Sequence, residues 1–101
     1  METLALLVML EARSGKAAEL EAFLASALPM AEAEPGTIGW YALKLGPNSF
    51  GIFDTFAGEA ARDAHLAGDI AKALFARADD LLSESPTVVR PVILAGKARL
   101  A

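Results

Sequence analysis

The residues able to do chemistry are gathered between Thr37 and Leu66, where Trp40, Tyr41 and Asp54 interrupt apolar stretches and the only histidine, His65, follows within one element. An imidazole with its ordinary pKa near 6.5 accepts a proton at neutral pH, which makes His65 a candidate general base. A histidine half-buried at a helix end and donating to a carbonyl needs no further role, and both readings stand at this point. Asp54 lies in an apolar strand, where an unpartnered carboxylate is costly, so it requires hydrogen-bond donors. Ile38–Leu45 and Phe50–Ala57 read as strands folded about Gly46-Pro47-Asn48-Ser49. With Pro47 and Asn48 as central turn residues, Tyr41 faces Asp54, Leu43 faces Ile52 and Leu45 faces Phe50. Tyr41 and Asp54 would then stand ~5 Å apart at Cβ, either as an anchor for a substrate hydroxyl or as a satisfied pair at a strand end. On this register Phe50, Ile52, Asp54 and Phe56 share a face with Tyr41, and Trp40, Ala42 and Lys44 share the other with Phe53 and Thr55. Trp40 reads as core or interface filling, or as a surface on which a flat aromatic ligand stacks.

These residues need elements to position them. Thr3–Leu10 is apolar at nearly every position, as expected of a strand covered on both faces. Between Lys16 and Glu34, Ala17, Leu20, Leu24, Ala27, Leu28 and Ala31 recur at the spacing of one helical face, and Pro29 predicts a kink or an end near Leu28. Gly58–Leu66 predicts a short helix interrupted at Ala67-Gly68. Asp69 then reads as the cap of a segment reaching Leu82, with Ile70, Leu74, Arg77, Ala78 and Leu81 inward. Thr87–Ala95 is the last strand, and Pro91 places it at an edge or a bulge. The order is strand, helix, strand, strand, helix, strand. That pattern predicts an α+β fold of the ferredoxin-like βαββαβ type, a four-stranded antiparallel sheet with its helices on one face. At 101 residues the chain reads as a single domain, 1–101. Helices cover only one face, so a second copy is expected to cover the other in a homodimer.

Composition narrows the partners. A net charge of -4 and the absence of a basic stripe argue against nucleic acid and against an anionic membrane surface. No apolar run reaches the ~18–20 residues of a membrane span, and no basic region precedes the first apolar stretch, so a cytoplasmic address is expected. With no cysteine, a single histidine, no metal-ligand spacing and no glycine-rich phosphate loop, no metal and no cofactor are expected. Glu11, Glu19, Glu21, Glu32, Glu34, Asp79 and Asp80 read as solvated faces.

The stretches EPGTIGWYAL, FGIFDTF and RDAHLAGDIAKAL resemble the antibiotic biosynthesis monooxygenase domain, and in particular its quinol monooxygenase-like members. In that family a glutamate-glycine segment opens strand two, strand three ends in an acid-x-aromatic step, and the second helix carries alanine-histidine-leucine. The resemblance implies a dimeric α/β barrel with a cavity between sheet and helices. It implies, for some members, oxidation of phenolic or quinol rings by molecular oxygen without a cofactor. It places the helix histidine at His65, the acid at Asp54 and the aromatic, often tryptophan, at Phe56; Asp69 stands where many quinol-type members carry a second histidine. Haem-degrading members share an asparagine on strand one, a tryptophan late in strand three and the helix histidine, of which only the histidine is matched. The expected activity is therefore oxidation of a small phenolic, quinol or polyketide-like aromatic, with His65, Tyr41 and Asp54 catalytic and Trp40 and Phe56 contacting substrate. The alternatives are a non-catalytic small-molecule-binding or stress-response protein of the same fold, and haem degradation. Replacing His65 removes few apolar contacts, so His65→Ala is expected to cost activity but only a few degrees of thermal midpoint.

Overall fold

The computed structural model describes residues 3–97. Their elements run β1 (Leu4–Glu11), α1 (Ala17–Ser26), α2 (Leu28–Glu32), β2 (Thr37–Lys44), β3 (Ser49–Phe56), α3 (Glu59–Leu66), α4 (Asp69–Leu81) and β4 (Thr87–Val89). The strands form one antiparallel sheet in the order β2-β3-β1-β4, the expected ferredoxin-like arrangement, which stays open rather than closing into a barrel within the chain. The core lies between sheet and helices. Leu10, Phe50 and Ile52 from the sheet meet Leu20 and Leu24 of α1 and Leu74 and Leu81 of α4, and Trp40 packs against this cluster and against a smaller one of Ala27, Ala31 and Ile70. Burying one such Leu or Phe side chain is worth ~1.5–3 kcal/mol, whereas exposed ion pairs such as Lys16 with Glu19 or Arg77 with Asp80 are screened by water and contribute far less. Apolar packing therefore holds the helices on the sheet. No helix among the described residues is long and apolar enough to cross a membrane.

The helices follow their punctuation with two corrections. Pro29 lacks the N–H that would bond the Ala25 carbonyl, and the expected break falls there: α1 ends at Ser26 and α2 begins at Leu28. Asp69 is the first residue of α4 rather than its cap; the cap is Gly68, with no side-chain bond, and the Asp69 carboxylate sits in the first turn where the helix dipole favours it. Arg77 does not face inward. Its guanidinium reaches Glu19 and Asp80 at the surface, because a charged group gains more there than in an apolar core. β4 is cut to three residues at the edge of the sheet. Pairing resumes past Pro91, where Leu4 bridges Val92 and the Ile93 N–H donates to the Thr3 carbonyl at 2.7 Å.

The hairpin register is one residue away from the expected one. Lys44 faces Phe50, Ala42 faces Ile52 and Trp40 faces Asp54. The Ser49 carbonyl accepts the N–H groups of both Leu45 and Gly46, at 2.8 and 3.1 Å, so Leu45 to Asn48 form a wider loop instead of a tight turn centred on Pro47-Asn48. A slip of one residue sends every side chain of a strand to the other face. Tyr41 consequently pairs with Phe53 on the helix-free side of the sheet, is 59% exposed, and is not a partner of Asp54. Trp40 takes its place beside Asp54 on the helix side. A bulge between Thr37 and Gly39 leaves Ile38 exposed, and Thr55 Oγ1 accepts the Gly39 N–H at 3.0 Å.

Candidate active site

Two close approaches bring the site's three segments together. A Cβ on Gly36 would come within 2.5 Å of the Ala61 Cβ, so only glycine lets the start of β2 lie this close against α3. At the break between α3 and α4, a Cβ on Gly68 would stand 3.2 Å from the Ala64 and His65 carbonyl oxygens and from Glu34 Oε2. The Gly68 N–H turns back to the His65 carbonyl and ends α3 there. His65, in the last turn of that helix, reaches both β3 and the segment ahead of β2.

Its imidazole lies between two carboxylates. Nδ1 is 2.6 Å from Glu34 Oε1, and Nε2 is 2.9 Å from Asp54 Oδ2. The second contact is close enough for strong attraction, but the ring N–H is not well aligned with the oxygen, and neither Asp54 oxygen has a well-aligned donor among the described residues. Thr37 Oγ1 donates to Glu34 Oε1 at 2.7 Å, whereas Glu34 Oε2 accepts no hydrogen bond among the described residues. The Phe56 ring packs on the imidazole with centroids 5.2 Å apart. Asp54 is fully buried and His65 nearly so, while the Glu34 side chain keeps 21% of its surface exposed.

Burial by itself would lower the pKa of His65. The two carboxylates, Asp54 first and then Glu34, outweigh it and hold the pKa above its ordinary value of about 6.5. The ring thus holds its proton more tightly than the free imidazole expected from the sequence. Since the folded pKa is the higher one, the proton contributes stability that is fully present below about pH 6.5 and lost as pH rises through the folded value. Nitrogen-detected NMR of the ring should place its titration midpoint above 6.5; a midpoint at or below 6.5 would remove the ion-pair account.

A groove of about 560 Å³ opens beside this array. Glu34, Thr37 and His65 line it, its walls are the small residues Gly36, Ala60, Ala61, Ala64 and Gly68, and Asp69 and Lys72 of α4 contribute charge. Of the residues singled out in the sequence, the structure brings His65, Asp54 and Phe56 together. Trp40 is their neighbour on the sheet, its buried Nε1 without an acceptor among the described residues, and Tyr41 lies on the opposite face. Neither Trp40 nor Phe56 lines the groove. Glu34 is the residue that sequence reasoning missed, having read it as solvated. The one signal was its place directly before Pro35-Gly36, with Thr37 three residues on. The two carboxylates occupy opposite sides of the ring and do not converge, and no cluster among the described residues could hold a metal ion.

An open ferredoxin-like sheet whose third strand and the helix that follows it hold an acid-histidine-acid array defines a small α+β domain. The chain belongs to the antibiotic biosynthesis monooxygenase family, whose sequence pattern matches residues 3–77. The NE2512 protein of unknown function from Nitrosomonas europaea is similar over 100% of this chain and 98% of its own, at 54% identity and a TM-score of 0.97. PA3566 from Pseudomonas aeruginosa aligns with 94% of this chain and 97% of its own, at 20% identity and a TM-score of 0.81. A solved antibiotic biosynthesis monooxygenase aligns with 86% of this chain and 94% of its own, at 16% identity and a TM-score of 0.74. At the two lower identities the likeness is one of fold. None of the curated proteins matches.

Proposed function

We propose that this protein is a cofactor-independent monooxygenase of the cytoplasm that oxidises a small phenolic or quinol ring with molecular oxygen. The observation that carries the reading is the array of Asp54, His65 and Glu34, of which His65 and Glu34 line a groove large enough for one aromatic ring system. A hydroxylated ring that loses its hydroxyl proton becomes an electron-rich anion able to reduce oxygen. One oxygen atom enters the ring, and the other leaves as water with the two hydrogens the substrate gives up, so the substrate supplies all the electrons. The protein's part is to take the proton, to keep water from the anion with alanine and glycine walls, and to orient the ring. Phe56 and Trp40 support the array from the sheet side, Phe56 by packing on His65. Haem degradation is less well supported, because ligation of iron by His65 would break one of its two carboxylate contacts.

An oxygen electrode decides between enzyme and binder. With hydroquinones, catechols and anthrone-type polycyclic phenols offered in turn, at least one should drive uptake of one O2 per ring oxidised. Phenol binding with no uptake from any of them would leave the non-catalytic reading. Members of the family generally form dimers, and we take this chain to do so through the helix-free sheet face, where Met9, Tyr41, Leu45 and Val89 are each more than 40% exposed.

A further inference from the structure

Both ring nitrogens of His65 are engaged by carboxylates, and Asp54 is sealed in the core. Neither can meet a molecule in the groove without breaking the array. Glu34 can. It lines the groove, its Oε1 is held from two sides by His65 and Thr37, and its Oε2 is left without a donor beside Gly68, itself a groove residue. We propose that Glu34, rather than His65, is the group that touches the substrate: its Oε2 accepts the hydrogen bond of the ring hydroxyl and then its proton, while His65 and Asp54 position Glu34. This rests on the monooxygenase reading for the reaction, though not for the binding of the ring. In the step, the substrate O–H bond breaks, an Oε2–H bond forms, and the electron pair stays on the ring oxygen as phenolate. That proton later leaves with the reduced oxygen atom as water.

The arrangement explains how a carboxylate can serve a weakly acidic phenol. An isolated Glu is a poor base at neutral pH, with a pKa near 4.3. Set in the groove wall beside alanine and glycine, it takes the proton as oxygen consumes the anion, so the oxidation draws the transfer forward. Specificity follows from the same geometry. The walls beside Glu34 are Gly36, Ala61 and Ala64, so a flat ring presenting its hydroxyl edge-on fits where a branched aliphatic alcohol does not.

The test has a binding arm and a rate arm. Phenol is titrated into 15N-labelled wild type, Glu34→Gln, Glu34→Asp and Glu34→Ala, and the amides of Ala61, Ala64 and Gly68 are followed. In wild type these amides should shift, and Glu34→Ala should weaken the binding about 10–100-fold, the range for a hydrogen bond to a charged group. Glu34→Asp keeps the charge next to His65 and serves as the variant that retains the fold. In oxygen uptake, Glu34→Gln should lower kcat by roughly 10²–10⁴-fold with KM changed far less. Phenol binding at the groove amides unchanged in both Glu34→Ala and Glu34→Asp would overturn the proposal while leaving the monooxygenase reading intact. Phenol binding that depends on Glu34, with no oxygen uptake by wild type from any ring tried, would uphold Glu34 as the binding group and sink the reaction.

Discussion

His65→Leu should lower the thermal midpoint by roughly 10–30 °C, one of the largest effects of any single substitution in this chain. The loss does not come from packing. Removing the imidazole strands the Asp54 carboxylate, which is fully buried and has no other charged partner among the described residues. Breaking a buried pair from one side costs about 3–5 kcal/mol. For a domain of this size each kcal/mol moves the midpoint by about 4–8 °C. Asp54→Val should be milder, because His65 keeps Glu34 and can shed its proton at little cost near neutrality. The double variant His65→Leu/Asp54→Val should recover most of the loss, since replacing both members of a buried pair by apolar groups is often neutral. Differential scanning calorimetry on the three variants checks this. A His65→Leu midpoint within ~3 °C of wild type would restore the small effect expected from apolar contacts alone.

Charge on the helix-free sheet face should take the protein apart into single chains. Wild type at micromolar concentration should sediment at twice the 10.5 kDa chain mass. Leu43→Glu places a carboxylate among Met9, Tyr41 and Phe53, and in a twofold interface the substitution is present twice on facing surfaces. Two buried, like-charged groups cost several kcal/mol together, enough to raise the dissociation constant more than about 1,000-fold. Retention of the doubled mass by Leu43→Glu, with Phe75→Glu on the outside of α4 as the control, would place the interface elsewhere.

The elements were legible because hydrophobic period and punctuation agree along most of the chain. Pro29 marked the α1–α2 break, Ala67-Gly68 the α3–α4 break and Pro91 the truncated last strand. The hairpin register was not legible. It turns on whether the Ser49 carbonyl takes one N–H or two, a choice that Gly46-Pro47-Asn48-Ser49 allows either way. That single slip also misassigned the site, trading Trp40 for Tyr41 as the neighbour of Asp54. His65 and Asp54 stood out as polar residues in apolar surroundings, but their partnership could not be read across 11 positions in sequence. Glu34 was hidden for a different reason. A glutamate at the end of an alanine-rich helical stretch looks solvated, and only the tight contact of Gly36 with Ala61 carries it onto the histidine.

β1 is the first strand to be synthesised and ends up inside the sheet, between β3 and β4. Its partners lie far downstream: Leu7 pairs with Phe53 on one side and with Val89 on the other. As the chain leaves the ribosome at about 5–20 residues per second, the apolar segment from Leu4 to Leu10 spends seconds with both edges open and both faces uncovered. That is the state in which a strand pairs with strangers. The span from β1 to β4 therefore sets a window of exposure during synthesis that the finished sheet conceals, and the three-residue length of β4 makes its closing step the weakest of the ladder.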